Sequence, residues 1–225
     1  MPARLRPTAP IAADAILVGD PGRALMLAQE LLEQPKMSNH ARGLWGYSGV
    51  TPAGDELTIQ ATGMGGPSAA VVLADLAELG VKRAIRVGTC ASLGDLGLGD
   101  LMVVEEAQPF RGSFVRPETT KEPRDGVRPD AALSARLKER LPGATTGNAV
   151  SLDSLHDPER GLPSLLAEVA DMQTATLLEA AATFEVAAAA VLVVAEKADA
   201  GQLPDEELEK AAKRAGSASS EVLST

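Results

Sequence analysis

Two short apolar runs, Ala15-Ile16-Leu17-Val18 and Arg83-Ala84-Ile85, each lead straight into a glycine-bearing turn that carries an arginine. The turns are Gly19-Asp20-Pro21-Gly22-Arg23 and Arg86-Val87-Gly88-Thr89. Uninterrupted apolar runs of this kind read as buried strands, and such strands need helices packed over both faces of their sheet. The rest of the pattern supplies them. Residues 24–34 have helical periodicity. A strand at 57–61 is followed by Gly63-Met64-Gly65-Gly66-Pro67-Ser68, and a proline near the first turn after a glycine-rich bend starts a helix at 69–79. Gly80 ends that helix, and strands at 81–87 and 101–105 come next. Further helices fall at 131–141, 172–184 and 204–215, and further strands at 144–150 and 186–194. Residues 109–130 are polar and proline-rich and read as a surface loop. The fold class is therefore α/β, a central mixed sheet flanked by helices.

In such sheets ligands sit at strand ends, which is where the glycine turns fall. Glycine there lets backbone N–H groups approach an anion, and arginine adds a charged fork suited to phosphate. Arg42-Gly43 is a third placement of the same kind. The plain reading of each segment alone is a common Gly-Asp-Pro turn or a solvated arginine. Together they suggest an oxyanion site.

The chain has 225 residues, 45% of them apolar, which suits one globular domain over 1–225 with 1–12 and 217–225 expected to be flexible. Its formal net charge of −10 argues against nucleic acid and anionic membrane as partners. An anionic ligand then needs a local positive pocket, which gives the arginines more weight. Cys90 is the single cysteine, so no intrachain disulfide forms and a cytoplasmic setting is expected. The N-terminus lacks the apolar core of a signal peptide, and the most apolar stretch, 186–195, is too short to span a bilayer. His40 and His156 match no metal-ligand spacing, so neither a metal nor a bound cofactor is expected. Aromatic residues are only 2% of the chain, so few side chains can stack on a flat base.

With these segments in view, the chain resembles the nucleoside phosphorylase family of hexameric purine nucleoside phosphorylases and uridine phosphorylases. The resemblance is carried by the GDPGR turn, Arg42-Gly43-Leu44-Trp45-Gly46-Tyr47, the GMGGPS turn and VKRAIRVGTCASL followed by LGDLMVV. It implies phosphorolysis: inorganic phosphate, a co-substrate rather than a cofactor, attacks the anomeric carbon of a nucleoside to give ribose 1-phosphate and free base. Carried over by position, Gly19, Arg23, Arg86 and Thr89 bind phosphate within one subunit. Arg42 comes from a neighbouring subunit, which implies a homo-oligomer built from dimers, a ring of three dimers being the family's usual assembly. Met64, Asp171, Met172 and Gln173 fall on the nucleoside side, and Glu196 and Arg86 on the catalytic side.

The chain departs from the family pattern in three places. Asp171-Met172-Gln173 stands where the pattern is Glu-Met-Glu, and Gln173 cannot offer the acceptor-only carboxylate that holds both ribose hydroxyls. Met172 would suit core packing equally well. Ala195-Glu196-Lys197 stands where purine-cleaving members carry a Ser-Asp pair, so Glu196 is either a general acid toward the base or the partner of Lys197 in a simple salt bridge. At the N-terminus, where members often supply a histidine, the nearest counterparts are Arg4 and Arg6, which also read as a disordered basic tail. Pyrimidine-cleaving members place a glutamine–arginine pair on the base, and Arg160 falls in that region. The departures leave two alternatives: an impaired member that binds phosphate or nucleoside without turnover, and a nucleosidase that uses water.

Overall fold

The computed structural model describes residues 4–110, 126–153 and 167–224. Its strands are β1 (Asp14–Val18), β2 (Glu33–Asn39), β3 (Gly46–Val50), β4 (Glu56–Ala61), β5 (Arg83–Ser92), β6 (Leu101–Phe110), β7 (Thr145–Leu152), β8 (Val169–Asp171), β9 (Ala187–Lys197) and β10 (Gly201–Gln202). The helices are α1 (Pro21–Leu31), α2 (Gly66–Glu78), α3 (Ala131–Arg140), α4 (Thr174–Thr183) and α5 (Asp205–Leu223). The strands form one mixed sheet in the order β10-β9-β6-β7-β8-β5-β1-β4-β3-β2, and β9 pairs with β5 as well. That extra pairing closes β5, β8, β7, β6 and β9 into a ring, from which β1, β4, β3 and β2 extend as an open wing.

Side-chain alternation sorts the core into two layers. Ala15 and Leu17 of β1 pack with Val72, Leu73 and Leu76 of α2 and with Leu177 of α4. Ile16 and Val18 pack on the other face with Leu27 of α1, Leu137 of α3 and Ala215 and Val222 of α5. Each fully buried leucine in these layers contributes about 1.5–3 kcal/mol by leaving water.

The helix starts follow the local chemistry. Asp20 caps α1, its carboxylate accepting from the Arg23 N–H at 2.8 Å, with Pro21 in the first turn. Gly65 begins α2 from φ +80°, a backbone region that a side chain disfavours. Asp205, Glu206 and Glu207 place negative charge on the first turn of α5.

Several boundaries differ from the sequence reading. The first helix ends at Leu31, and β2 and β3 follow it as a hairpin whose residues lack clean apolar alternation. β8 has three residues, too short for a periodic signal. β6 runs on to Phe110, and Val127 bridges back to Ala107, so part of the expected 109–130 loop is paired backbone, and 111–125 lie outside the described residues. The expected flexible tail is instead the last third of α5, where Ala218, Val222 and Leu223 are buried. Four-residue spacing of small and apolar residues explains that packing. The N-terminal segment is also docked rather than free. Leu5 is buried, the N–H groups of Arg4 and Leu5 donate to Asp75 at 2.8 Å, and that of Arg6 donates to Asn39. Among the described residues no helix is long and apolar enough to cross a membrane.

Candidate active site

Arg86 lies on β5 with its guanidinium folded back over Gly88, on the same side of the strand. A Cβ on Gly88 would stand 2.7 Å from the Arg86 guanidinium, so only glycine leaves it room. The arginine is buried, and three groups hold it. Nη1 donates to Gln173 Oε1 at 2.7 Å, Nη2 to Asp171 Oδ2 at 3.0 Å and Nε to Thr174 Oγ1 at 3.1 Å. Three of its five N–H groups are thereby engaged.

Asp171 ends β8 and its side chain is 0% exposed. Besides Arg86 it accepts from Ser151 Oγ at 2.5 Å and from the backbone N–H and hydroxyl of Thr174 at 3.0 and 2.6 Å. A carboxylate beside the first N–H groups of α4 is also favoured by the helix dipole. A buried ion pair needs this kind of saturation, because desolvation otherwise exceeds the attraction.

Gln173 is buried as completely. Its carbonyl accepts from Arg86 and from Thr62 Oγ1 at 3.1 Å, while its Nε2 donates to the Gly63 carbonyl at 2.6 Å and the Gly65 carbonyl at 3.3 Å. Gly19 closes the other side, where a Cβ would stand 3.5 Å from Gly63 O and 4.0 Å from Gln173 Oε1.

Arg23, in the first turn of α1, is half-buried. Burial lowers the pKa of its guanidinium, Asp20 opposes that shift, and the positive charge of Arg86 adds to it. The two arginines thus feel each other across the strand ends. Among the described residues the Arg23 guanidinium has no hydrogen-bond or ion-pair partner. Two neighbouring cations, one clasped and one unpaired, make a place where an anion relieves both repulsion and desolvation.

The remaining expected residues lie at varying distances from this cluster. Thr89 falls on the opposite face of β5 from Arg86, the face that α1 covers, and pairs with Val193 of β9. Arg42 is exposed in a 3₁₀ turn (Ala41–Gly43) at φ +61°, a left-handed conformation costly for a side chain, and it is not brought to Arg23 or Arg86 within the chain. Met64 is 87% exposed at the tip of the turn that Gln173 holds. Met172, half-buried between buried Asp171 and Gln173, belongs to neither core layer, so it does not serve as core packing.

Glu196 is half-exposed near the end of β9, opposite Ala91 of β5 and Gln202 of β10. The Arg86 guanidinium reaches along β5 over Gly88 to Asp171, which follows the Ala170 paired with Ala91, so β8 brings Asp171 and β9 brings Glu196 to the two sides of the same stretch of β5. No ion pair joins Glu196 to Lys197 among the described residues, and adjacent strand residues point to opposite faces. The salt-bridge reading of that pair is not what the strand provides.

Thr62, Ser151 and Thr174 escaped the sequence reading. They lie 111, 20 and 3 residues from the groups they hold, and an isolated hydroxyl residue carries no signal of such a partner. Cys90 is buried and its thiol is pushed well above the usual range by burial, which makes it inert. His40 is exposed, while His156 and Arg160 lie outside the described residues. Among the described residues no group of His, Cys, Asp and Glu could hold a metal ion.

Residues 14–225 match the family model described as the phosphorylase superfamily. A DeoD-type purine nucleoside phosphorylase of Caldanaerobacter subterraneus subsp. tengcongensis is 31% identical over 206 residues, 85% of this chain and 86% of the relative. Among solved structures, a uridine phosphorylase of the oomycete Phytophthora capsici superposes with a TM-score of 0.82 at 21% identity, over 99% of this chain and 94% of the other. The purine nucleoside phosphorylase of Toxoplasma gondii, in complex with immucillin-H, superposes with a TM-score of 0.80 at 21% identity, covering 95% and 91%. At that identity the two structures speak for the shared fold.

Proposed function

This chain belongs to the phosphorylase superfamily, and on that footing we propose that it is a nucleoside phosphorylase whose phosphate lies between Arg23 and Arg86. The observation that carries this reading is the contrast between those two cations: Arg86 clasped by Asp171, Gln173 and Thr174, and Arg23 half-buried beside it with no hydrogen-bond or ion-pair partner for its guanidinium among the described residues. Gly19 leaves room for the anion's approach, and Thr89 contributes from the α1-covered face of β5. Arg42, exposed and held in a left-handed turn, serves the site of a neighbouring subunit in a dimer-built ring of the kind the family resemblance implies.

The arginines orient phosphate under the sugar and keep it poorly hydrated. A phosphate oxygen forms the new bond to the anomeric carbon as the bond to the base nitrogen breaks. The base keeps the electron pair of that bond, and Glu196, on the β9 side of β5, donates the proton that neutralises it. Met64 and Met172 present apolar surface to the nucleoside between the arginines and Glu196. Phosphate is a co-substrate, no resident cofactor is used, and the setting is nucleoside salvage in the cytoplasm.

The test is base release from a panel of purine and pyrimidine nucleosides, with and without millimolar phosphate, with the sugar product identified. The expected outcome is release that requires phosphate and yields one pentose 1-phosphate per base. Release at the same rate without phosphate would identify a nucleosidase. Phosphate binding with no release from any nucleoside would identify a binding protein.

A further inference from the structure

Gln173 directs its amide at the protein. Its carbonyl accepts from Arg86, with Thr62 Oγ1 sharing its one proton between that carbonyl and Val18 O, its NH₂ donates to Gly63 O and Gly65 O, and the residue is 3% exposed. The orientation of the amide is fixed by these partners, because the reverse would set an oxygen against two carbonyls and an NH₂ against a guanidinium. We propose that Gln173 is a positioning residue, whose amide ties the Arg86 guanidinium to the Gly63–Gly65 turn and so sets the anion pocket and its lining turn together. The inference rests on the anion reading of Arg23 and Arg86 given above.

The turn has little freedom to adjust on its own. Gly63 and Gly65 sit at φ +73° and +80°, and a Cβ on Gly63 would stand 2.8 Å from Ser68 Oγ. Ser68 Oγ in turn donates to Thr62 O at 2.6 Å, pinning the same stretch from its other side. One buried amide therefore joins β5, the turn before α2 and the residue that follows β4.

A carboxylate does not match these partners. Glutamate at position 173 would have no donor for the two carbonyls and would face them with negative charge. It would also bring a second carboxylate to Arg86, taking the formal charge of Arg23, Arg86, Asp20 and Asp171 from zero to −1. The amide, rather than the acid, keeps that further negative charge away from the anion.

The experiment is calorimetric titration of the purified protein with inorganic phosphate, for the wild type, Gln173→Glu and Thr62→Val, alongside KM for phosphate and for nucleoside. Gln173→Glu is expected to weaken phosphate binding about tenfold or more and to leave the nucleoside KM within about threefold. Thr62→Val, which removes the hydroxyl shared by the amide carbonyl and Val18 O without adding charge, should weaken phosphate by about threefold, and it decides the question if Gln173→Glu does not fold. Phosphate binding unchanged or tightened in Gln173→Glu, or a rise in nucleoside KM alone, would overturn the inference. So would a wild type that binds no phosphate. If Gln173→Glu loses phosphate affinity while the wild type cleaves no nucleoside, the positioning role stands and the phosphorylase reading falls. Normal cleavage with unchanged phosphate affinity gives the opposite result.

Discussion

The two polar groups that flank β5, the Arg86 cluster on its β8 side and Glu196 on its β9 side, are furnished very differently. At the Arg86 cluster, Asp171, Gln173, Thr174, Ser151 and Thr62 form one connected buried network that engages three of the five guanidinium N–H groups. At Glu196, one half-exposed carboxylate stands opposite Ala91 and Gln202 with no side-chain partner among the described residues. The first group is preorganised by the chain itself, as electrostatic stabilisation of a transferring group requires. The second is left for the substrate to complete. Stability and function should therefore be coupled in one group and separate in the other.

Removing Arg86 gives the largest effect. Arg86→Ala leaves Asp171 buried without its cation, a change that typically costs about 3–5 kcal/mol, and it removes a phosphate-orienting group worth about a thousandfold in turnover. Urea unfolding together with kcat/KM measures both. An Arg86→Ala protein as stable as the wild type would break the coupling in that cluster.

Glu196→Gln should do the reverse. Turnover is expected to fall about a hundredfold, with stability within about 0.5 kcal/mol and phosphate KM unchanged. Equal loss of phosphate affinity would show that the two groups are not separate.

Arg23 sharpens the comparison from within the anion site, because it is charged but not clasped. Its pKa is lowered by burial, so the folded state holds that proton less tightly than the unfolded chain does, and the charge works against folding at neutral pH. Arg23→Ala should therefore keep or gain stability while phosphate affinity falls about 10- to 100-fold. It should also lose most of the rise in Tm that phosphate gives the wild type. A clear fall in Tm without phosphate would contradict this.

The smallest effect belongs to Ser151→Ala, which removes one hydrogen bond from Asp171 and the acceptor of the Ala175 N–H. A loss of about 1–2 kcal/mol is expected with turnover nearly unchanged. A turnover loss comparable to that of Arg86→Ala would mean that Ser151 does more than hold the carboxylate.

Sequence legibility divides along the same line. The buried strands, the GDPGR and GMGGPS turns and the capped helices were readable because each rests on local chemistry, such as Asp20 three residues before Arg23. Arg86-Val87-Gly88-Thr89, read as a turn, instead lies inside β5, where Gly88 makes room for the guanidinium rather than bending the chain. The edge hairpin was not readable, because polar residues such as Glu33, Gln34 and Lys36 hide its period. The order in α5 beyond Ser217 was hidden by small residues that become apolar surface only once packed. In the site, the arginines announced themselves through their motifs. The bonds that decide what Gln173 does come from Thr62, Gly63 and Arg86, residues 87–111 positions away in sequence. A glutamine read as an impoverished glutamate thus turns out to need its NH₂ group.

Calorimetric titration of inorganic phosphate into Arg23→Ala and Glu196→Gln, beside the wild type, tests the separation of the two groups most directly. Glu196→Gln should bind phosphate as the wild type does, and Arg23→Ala about tenfold more weakly or worse. Equal weakening in both variants, or wild-type affinity in Arg23→Ala, would contradict it.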